Sequence, residues 1–324
     1  MGIKEAIKNF NKQFEYELKI ENGGELRHFD KFIVVGMGGS HLAAGLLKVW
    51  DPYFDVVIHK DYGLPALSDK ELKERLVVLS SYSGNTEEVI DAFNEAIEKN
   101  LACAVISIGG KLIELAKKYS RPYIKMPDTG IQPRLALGFS FRALLKLMGQ
   151  DEAFHEAGEL AKSLKPADFE KAGRALAKQL KGFTPVIYSS SRNLPIARNW
   201  KIEFNETGRI PAFYNAFPEL NHNEMAGFDV RPKTKQLSAR FCFVLLQDES
   251  DHPRIKKRMA ALKQFYKNRN LVVESVKLNG KDGFYKIFSS LILADWAAYY
   301  LSQEYGIETE QSSMVEEFKK LIVK

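Results

Sequence analysis

Apolar residues in this chain fall in short continuous runs, separated by longer stretches with a helical repeat. In the first half the runs are Phe32-Ile33-Val34-Val35, Val56-Val57-Ile58 and Leu76-Val77-Val78-Leu79, then 103–108 and the shorter 122–126. Helical patterns begin at His41 and occupy 87–99. A run without polar alternation reads as a strand buried on both faces, and strands divided by helices read as a parallel sheet covered on both sides. The fold class predicted is therefore α/β. At Thr184 the pattern restarts, with Val186-Ile187-Tyr188 followed by Ser189-Ser190-Ser191 and a helix from Leu194. Runs at 241–246 and 270–278 supply further strands, with helices expected over about 252–267 and 284–303. Two blocks that each open with a strand and a small-residue turn predict an internal repeat. The charged, alanine-rich stretch 151–180, interrupted at Pro166, reads as a helical connection between a domain over 1–150 and another over 181–324. Residues 1 to about 20 are expected to form one amphipathic helix, and 312–321 a last one through Val315, Phe318 and Leu321.

Ligands of such sheets bind beyond the carboxyl ends of the strands, so the loops there carry the interest. After the first run comes Gly36-Met37-Gly38-Gly39-Ser40. Its glycines allow close backbone approach to a ligand, and a tight turn alone explains them almost as well. A dinucleotide fingerprint would need glycine where His41 stands, which argues against a nicotinamide cofactor. The loop after the third run is more specific: Ser80-Ser81-Tyr82-Ser83-Gly84-Asn85-Thr86-Glu87-Glu88. Hydroxyls and unpaired amides at a helix start form an anion cradle that needs no lysine. An ordinary N-cap would account for one of these residues and leave Ser81 and Ser83 unexplained.

A third stretch, 201–228, combines Glu203, Glu206, Glu219 and Glu224 with His222 and four asparagines. Phe204, Phe213, Tyr214, Phe217 and Phe228 interleave them. Polar groups among aromatics read as a lined pocket, and a helix end with a wet connection is the plainer alternative.

Composition narrows the field. Lys plus Arg minus Asp plus Glu is 47 − 41 = +6, and the densest basic cluster, Arg254, Lys256, Lys257 and Arg258, lies on a helical pattern. That describes a solvated face, so no nucleic-acid partner is expected. Cys103 and Cys242 sit in apolar runs, without a disulfide framework or a paired metal motif. No set of His, Cys and carboxylates has zinc spacing, so no metal is expected. The amphipathic start carries no apolar leader and no run approaches a membrane span, so the expectation is a cytoplasmic chain with no membrane partner.

The glycine loop together with SSYSGNTEE resembles the sugar isomerase (SIS) fold that binds phosphosugars. Ile108-Gly109-Gly110-Lys111-Leu112 and Gln132-Pro133-Arg134-Leu135-Ala136 fit the same pattern. Asn205-Glu206-Thr207 and then Glu219-Leu220-Asn221-His222-Asn223-Glu224 narrow the likeness. Over nearly the whole chain the motifs are similar, in order, to the two-domain bifunctional phosphoglucose/phosphomannose isomerases. That resemblance implies two SIS-type subdomains, each a mainly parallel sheet flanked by helices. It implies isomerisation of glucose 6-phosphate to fructose 6-phosphate through an enediol, with mannose 6-phosphate as a further substrate and no cofactor. Glu206 would be the base, His222 the ring-opening acid/base, Arg134 the neighbour of the enediolate and Lys319 the lysine of the final helix, with Lys320 beside it. Gly38, Gly39, Ser40, Ser81, Ser83 and Thr86 would hold the phosphate. A homodimer is implied, with a shared active site to which His222 comes across the subunit interface.

Two departures from the family pattern stand out. The usual N-E-N-A-K is N-E-T-G-R here, so Thr207, Gly208 and Arg209 replace Asn, Ala and Lys. Ser312 and Ser313 occupy the region where the family tends to carry a threonine. For the chemistry, burial of Glu206 among aromatics is expected to bring its pKa nearer the working pH. The other reading is a non-catalytic phosphosugar sensor on the same fold, which would keep the cradle without needing Glu206 and His222.

Overall fold

In the first half the apolar runs become strands of a six-stranded sheet: β1 (Ile20–Glu21), β2 (Phe32–Val35), β3 (Val56–His59), β4 (Leu76–Ser80), β5 (Cys103–Ser107) and β6 (Tyr123–Lys125). Their order is β1-β6-β5-β4-β2-β3, with β1 antiparallel to β6 and the remaining pairs parallel. Every residue of β2, β4 and β5 is buried, as continuous apolar strands require. β1 is too short to carry a period and was not expected. The computed structural model describes residues 1–280, 282–308 and 313–322.

One face of this sheet turns Ile33, Val35, Val77, Leu79, Cys103 and Val105, alternate positions of three strands, into a single core. Helix Glu87–Glu98 covers it with Val89, Ala92, Phe93 and Ala96, a stripe at helical spacing. Fully burying a side chain such as Phe93 contributes about 1.5–3 kcal/mol.

The second half builds a four-stranded, all-parallel sheet from β7 (Thr184–Ser190), β8 (Phe213–Phe217), β9 (Phe241–Gln247) and β10 (Val272–Lys277), in the order β10-β9-β7-β8. β8 corrects the reading of 201–228. Phe217 is a core residue, packed with Tyr188, Phe243 and Tyr266, and Phe204 is fully buried beside Trp200. Phe213 faces outward. These aromatics build the sheet and its covering helix, because Phe-Tyr-Asn-Ala-Phe satisfies a strand between polar connections.

The chain divides into two compact units, Met1 with Lys8–Leu164, and Gly2–Ile7 with Lys165–Lys324. The division falls inside the stretch 151–180: helices Asp151–Gly158 and Leu160–Ser163 belong to the first unit and helix Glu170–Leu180 to the second. The expected single N-terminal helix is two pieces, an α-helix Ile3–Lys8 and a 3-10 turn Phe10–Phe14. Asn9 between them leaves helical geometry (φ −101°, ψ 12°). Among the described residues no helix is long and apolar enough to cross a membrane.

Candidate active site

The first unit presents its loops at the carboxyl ends of β2, β4 and β5, and these loops hold one another. Ser80 Oγ donates to the Ser40 carbonyl at 3.0 Å, and the Ser40 hydroxyl accepts the Tyr82 N–H at 2.9 Å. Gly84 has φ +74°, and a Cβ there would stand 1.8 Å from the Gly109 carbonyl oxygen. Only glycine permits that approach. Ser81 is 1% exposed, bonded to the Thr86 hydroxyl at 2.7 Å and accepting the Gly84 N–H at 3.1 Å.

Thr86 occupies the N-cap position of helix Glu87–Glu98, yet its side chain makes no cap hydrogen bond. The simple capping explanation of this loop therefore fails. Ser83 is exposed and Thr86 half-buried, so these two offer the accessible hydroxyls, while Ser40 and Ser81 hold the shape beneath. A helix start that presents accessible hydroxyls and no side-chain cap suits a phosphate.

Arg134 lies in the 3-10 turn Pro133–Leu135 and is 5% exposed. A Cβ on Gly39 would come within 2.9 Å of Arg134 N, so the glycine loop packs against this turn. Gln13, also buried, fixes the turn from the other side, a role that the sequence did not signal. Its Nε2 donates to the Leu135 carbonyl at 2.7 Å, and its Oε1 accepts the N–H groups of Gly138 and Phe139 at 3.0 and 3.3 Å. The first turn of helix Leu137–Leu147 is thus capped by a side chain far away in sequence. Gly38, Gly39, Ser40, Ser81, Ser83, Thr86 and Arg134 are all brought to this end of the first sheet.

In the second unit helix Leu194–Glu206 ends at Glu206. The carboxylate is exposed, which corrects the expectation that aromatics enclose it. Trp200, Glu203 and Phe204 occupy the helix's buried stripe, and Glu206 lies two residues beyond it, on the turned-away side. The buried carboxylate is Glu203, 4% exposed, which accepts a 2.8 Å hydrogen bond from Thr207 Oγ1. After Thr207 the chain turns sharply. A Cβ on Gly208 would stand 2.8 Å from the Phe204 carbonyl, and Arg209 adopts φ +55°. The Gly and Arg that depart from the family pattern thus build the helix's exit.

His222 follows β8 and is exposed, closing the 3-10 turn Glu219–Asn221. Leu220 beside it is fully buried in the core of the second sheet. In chain order Glu206 comes before β8 and His222 after it. Lys319 falls on helix Ser313–Ile322, and its side chain lies outside what is described, as do Ser312 and the side chain of Ser313. Among the described residues no group of three or more His, Cys, Asp or Glu is placed to hold a metal.

A buried polar cluster joins the loops after β7 and β9. Asn193, at the N-cap position of helix Leu194–Glu206, donates to Asp248 at 3.0 Å, and Lys286 pairs with Asp248 at 2.7 Å. Burial works against the ionised Asp248, but the hydrogen bonds from Lys286, Ser250 and Asn193 prevail and hold its pKa below the ordinary 3.8.

Comparison with known proteins places this architecture. The family described as bacterial phospho-glucose isomerase C-terminal SIS domain matches residues 169–322. A bifunctional phosphoglucose/phosphomannose isomerase of Aquifex aeolicus is 31% identical over 331 residues, covering 99% of this chain and 98% of the relative. One of Caldicellulosiruptor bescii is 33% identical over 322 residues, covering 93% of each. In fold, the chain is similar to a glucosamine-6-phosphate deaminase from Thermotoga maritima, with a TM-score of 0.68 at 15% identity and 96% of each chain covered. Full-length kinship at this level, together with two mainly parallel sheets of SIS type, places the chain in the bifunctional phosphoglucose/phosphomannose isomerase family.

Proposed function

We propose that this protein is an isomerase that interconverts aldose and ketose hexose 6-phosphates, glucose 6-phosphate with fructose 6-phosphate, and mannose 6-phosphate likewise. The observation that carries the reading is kinship along almost the entire chain with relatives named for that activity. The hydroxyl cradle before helix Glu87–Glu98 supports it by offering a place for a phosphate.

Glu206 takes the proton from C2 and returns it to C1. Arg134 stabilises the enediolate oxygen with its planar guanidinium. The accessible hydroxyls of Ser83 and Thr86, with the helix amides, bind phosphate, and Gly38, Gly39, Ser40 and Ser81 shape that cradle. Lys319 takes the role of the final-helix lysine. The enediol has no stereocentre at C2, so glucose and mannose 6-phosphates converge on one intermediate. The solvent-facing position of Glu206 in the chain agrees with a carboxylate that must meet substrate.

His222 opens the sugar ring, and we read it as acting in the partner subunit of a homodimer. The support is the likeness of Glu219-Leu220-Asn221-His222-Asn223-Glu224 to the family pattern, which implies a histidine contributed across the dimer interface.

The purified chain supplied with glucose 6-phosphate is expected to form fructose 6-phosphate. Saturable binding of the sugar phosphate by folded protein without turnover would overturn the enzymatic reading in favour of a non-catalytic phosphosugar-binding protein.

A further inference from the structure

Tyr188 and Asn215 are register partners in the parallel pair β7–β8, so their side chains leave the same face of the sheet. Both end on one carboxylate: the Tyr188 hydroxyl donates to Glu224 Oε1, and the Asn215 amide donates to Glu224 Oε2. Tyr188 is fully buried, its ring packed against Phe217 and Phe243, so the hydroxyl is delivered from a rigid core. Asn215 is itself held, since its Oδ1 accepts the Ala216 N–H at 2.8 Å. Glu224 in turn accepts no freedom from its own backbone, whose N–H donates to Asn223 Oδ1 at 2.5 Å. The Asn223 side chain then reaches back to Glu219 at 2.6 Å.

His222 thus lies between two fixed points. Leu220, two residues before it, is sunk in the core, and Glu224, two residues after it, is gripped by two strands. A short loop pinned on both sides gives its middle residue little freedom to wander.

We propose that Glu224, clamped by Tyr188 and Asn215, is a positioning residue that aims His222 for ring opening. This rests on the reading of His222 as the ring-opening group. Ring opening breaks the C1–O5 bond, delivers a proton to O5 and removes one from the C1 hydroxyl, with no net gain or loss. One imidazole can do both only if it reaches both oxygens, and misplacement by about 1 Å can cost 10²-fold. Burial foremost, then Tyr266 and the Glu224 carboxylate, push the Tyr188 hydroxyl above its ordinary pKa, so it remains a donor at working pH.

The test isolates ring opening from proton transfer at carbon. In a Glu206→Gln background, exchange between the α and β anomers of glucose 6-phosphate is measured by NMR. Tyr188→Phe, which keeps the ring in the core, and Glu224→Gln are each expected to slow enzyme-catalysed exchange about 10- to 100-fold. Binding of glucitol 6-phosphate, an open-chain compound with no ring to open, should be unchanged in both, which shows that the fold and cradle are intact. Wild-type anomer exchange in folded Tyr188→Phe and Glu224→Gln overturns the clamp alone, provided His222→Asn abolishes exchange. Exchange that survives His222→Asn overturns the role of His222 and the clamp with it.

Discussion

Thr207 shows how one substitution can be absorbed. Where the family pattern has asparagine, its shorter hydroxyl reaches back one helical turn to Glu203, a carboxylate that burial would otherwise penalise. Thr207→Val should therefore cost about 1–3 kcal/mol in stability, with Thr207→Ser much closer to wild type, measured by denaturant unfolding. Two neighbouring aspartates should respond oppositely to acid. Asp248 is held below 3.8, so its contribution is complete above that value and is lost as pH falls toward its folded pKa. Asp251 is shifted upward by burial, against a Ser190 hydrogen bond and with Asp248's charge adding, so its ionised form costs stability at neutral pH and the cost lifts on acidification. Thermal midpoints from about pH 3 to pH 7 should fall most at neutral pH for Asp248→Asn, and rise there for Asp251→Asn. Lys286→Met should cost about 3–5 kcal/mol, because it strands a buried carboxylate.

Among the elements, the strands that could be read from the sequence were those whose signal is complete in one short run. Phe32–Val35 and the run Leu76-Val77-Val78-Leu79 are apolar throughout because helices cover both faces, and no other part of the chain is needed to see it. β8 escaped because Tyr214 and Asn215 are only half-buried, so its apolar signal is diluted among the polar residues that drew attention to the stretch. The exposure of Glu206 escaped for a related reason. Composition showed carboxylates and aromatics near each other in sequence, but helix rotation sends Phe204 inward and Glu206 outward. Gln13 could not be read at all, since a lone polar residue near the start gives no hint of a partner at Leu135 or Gly138. Its consequence can be tested. Gln13→Leu leaves the Leu135 carbonyl and two helix-start amides without that partner, at about 1–3 kcal/mol for each group left unsatisfied. Loosening of the Arg134 turn should then lower kcat more than it raises KM.

At the level of the whole molecule, the two sheets repeat one architectural idea with different endings. The first sheet finishes its strands in hydroxyls and glycines around an uncapped helix start. The second fills the corresponding loops after β7 and β9 with its own carboxylates and a lysine. An anion has a place at the first and competition at the second. The proposed sharing of His222 across a dimer has a direct consequence. Co-expression of Glu206→Gln chains with His222→Asn chains should recover activity that neither homodimer has. Random pairing makes half the dimers mixed, each with one intact Glu206–His222 pair, so about a quarter of wild-type activity is expected. Absence of recovery from confirmed mixed dimers would mean that each chain uses its own histidine.

The most direct test of the central claim follows the proton itself. Glucose 6-phosphate is incubated with enzyme in deuterated water, and deuterium at C1 of the fructose 6-phosphate formed is measured by NMR over time. The wild-type protein should place solvent deuterium at C1, and Glu206→Gln should do so about 10²–10⁴-fold more slowly while still binding the sugar phosphate. Labelling by folded Glu206→Gln protein at the wild-type rate would contradict the assignment of Glu206 as the base.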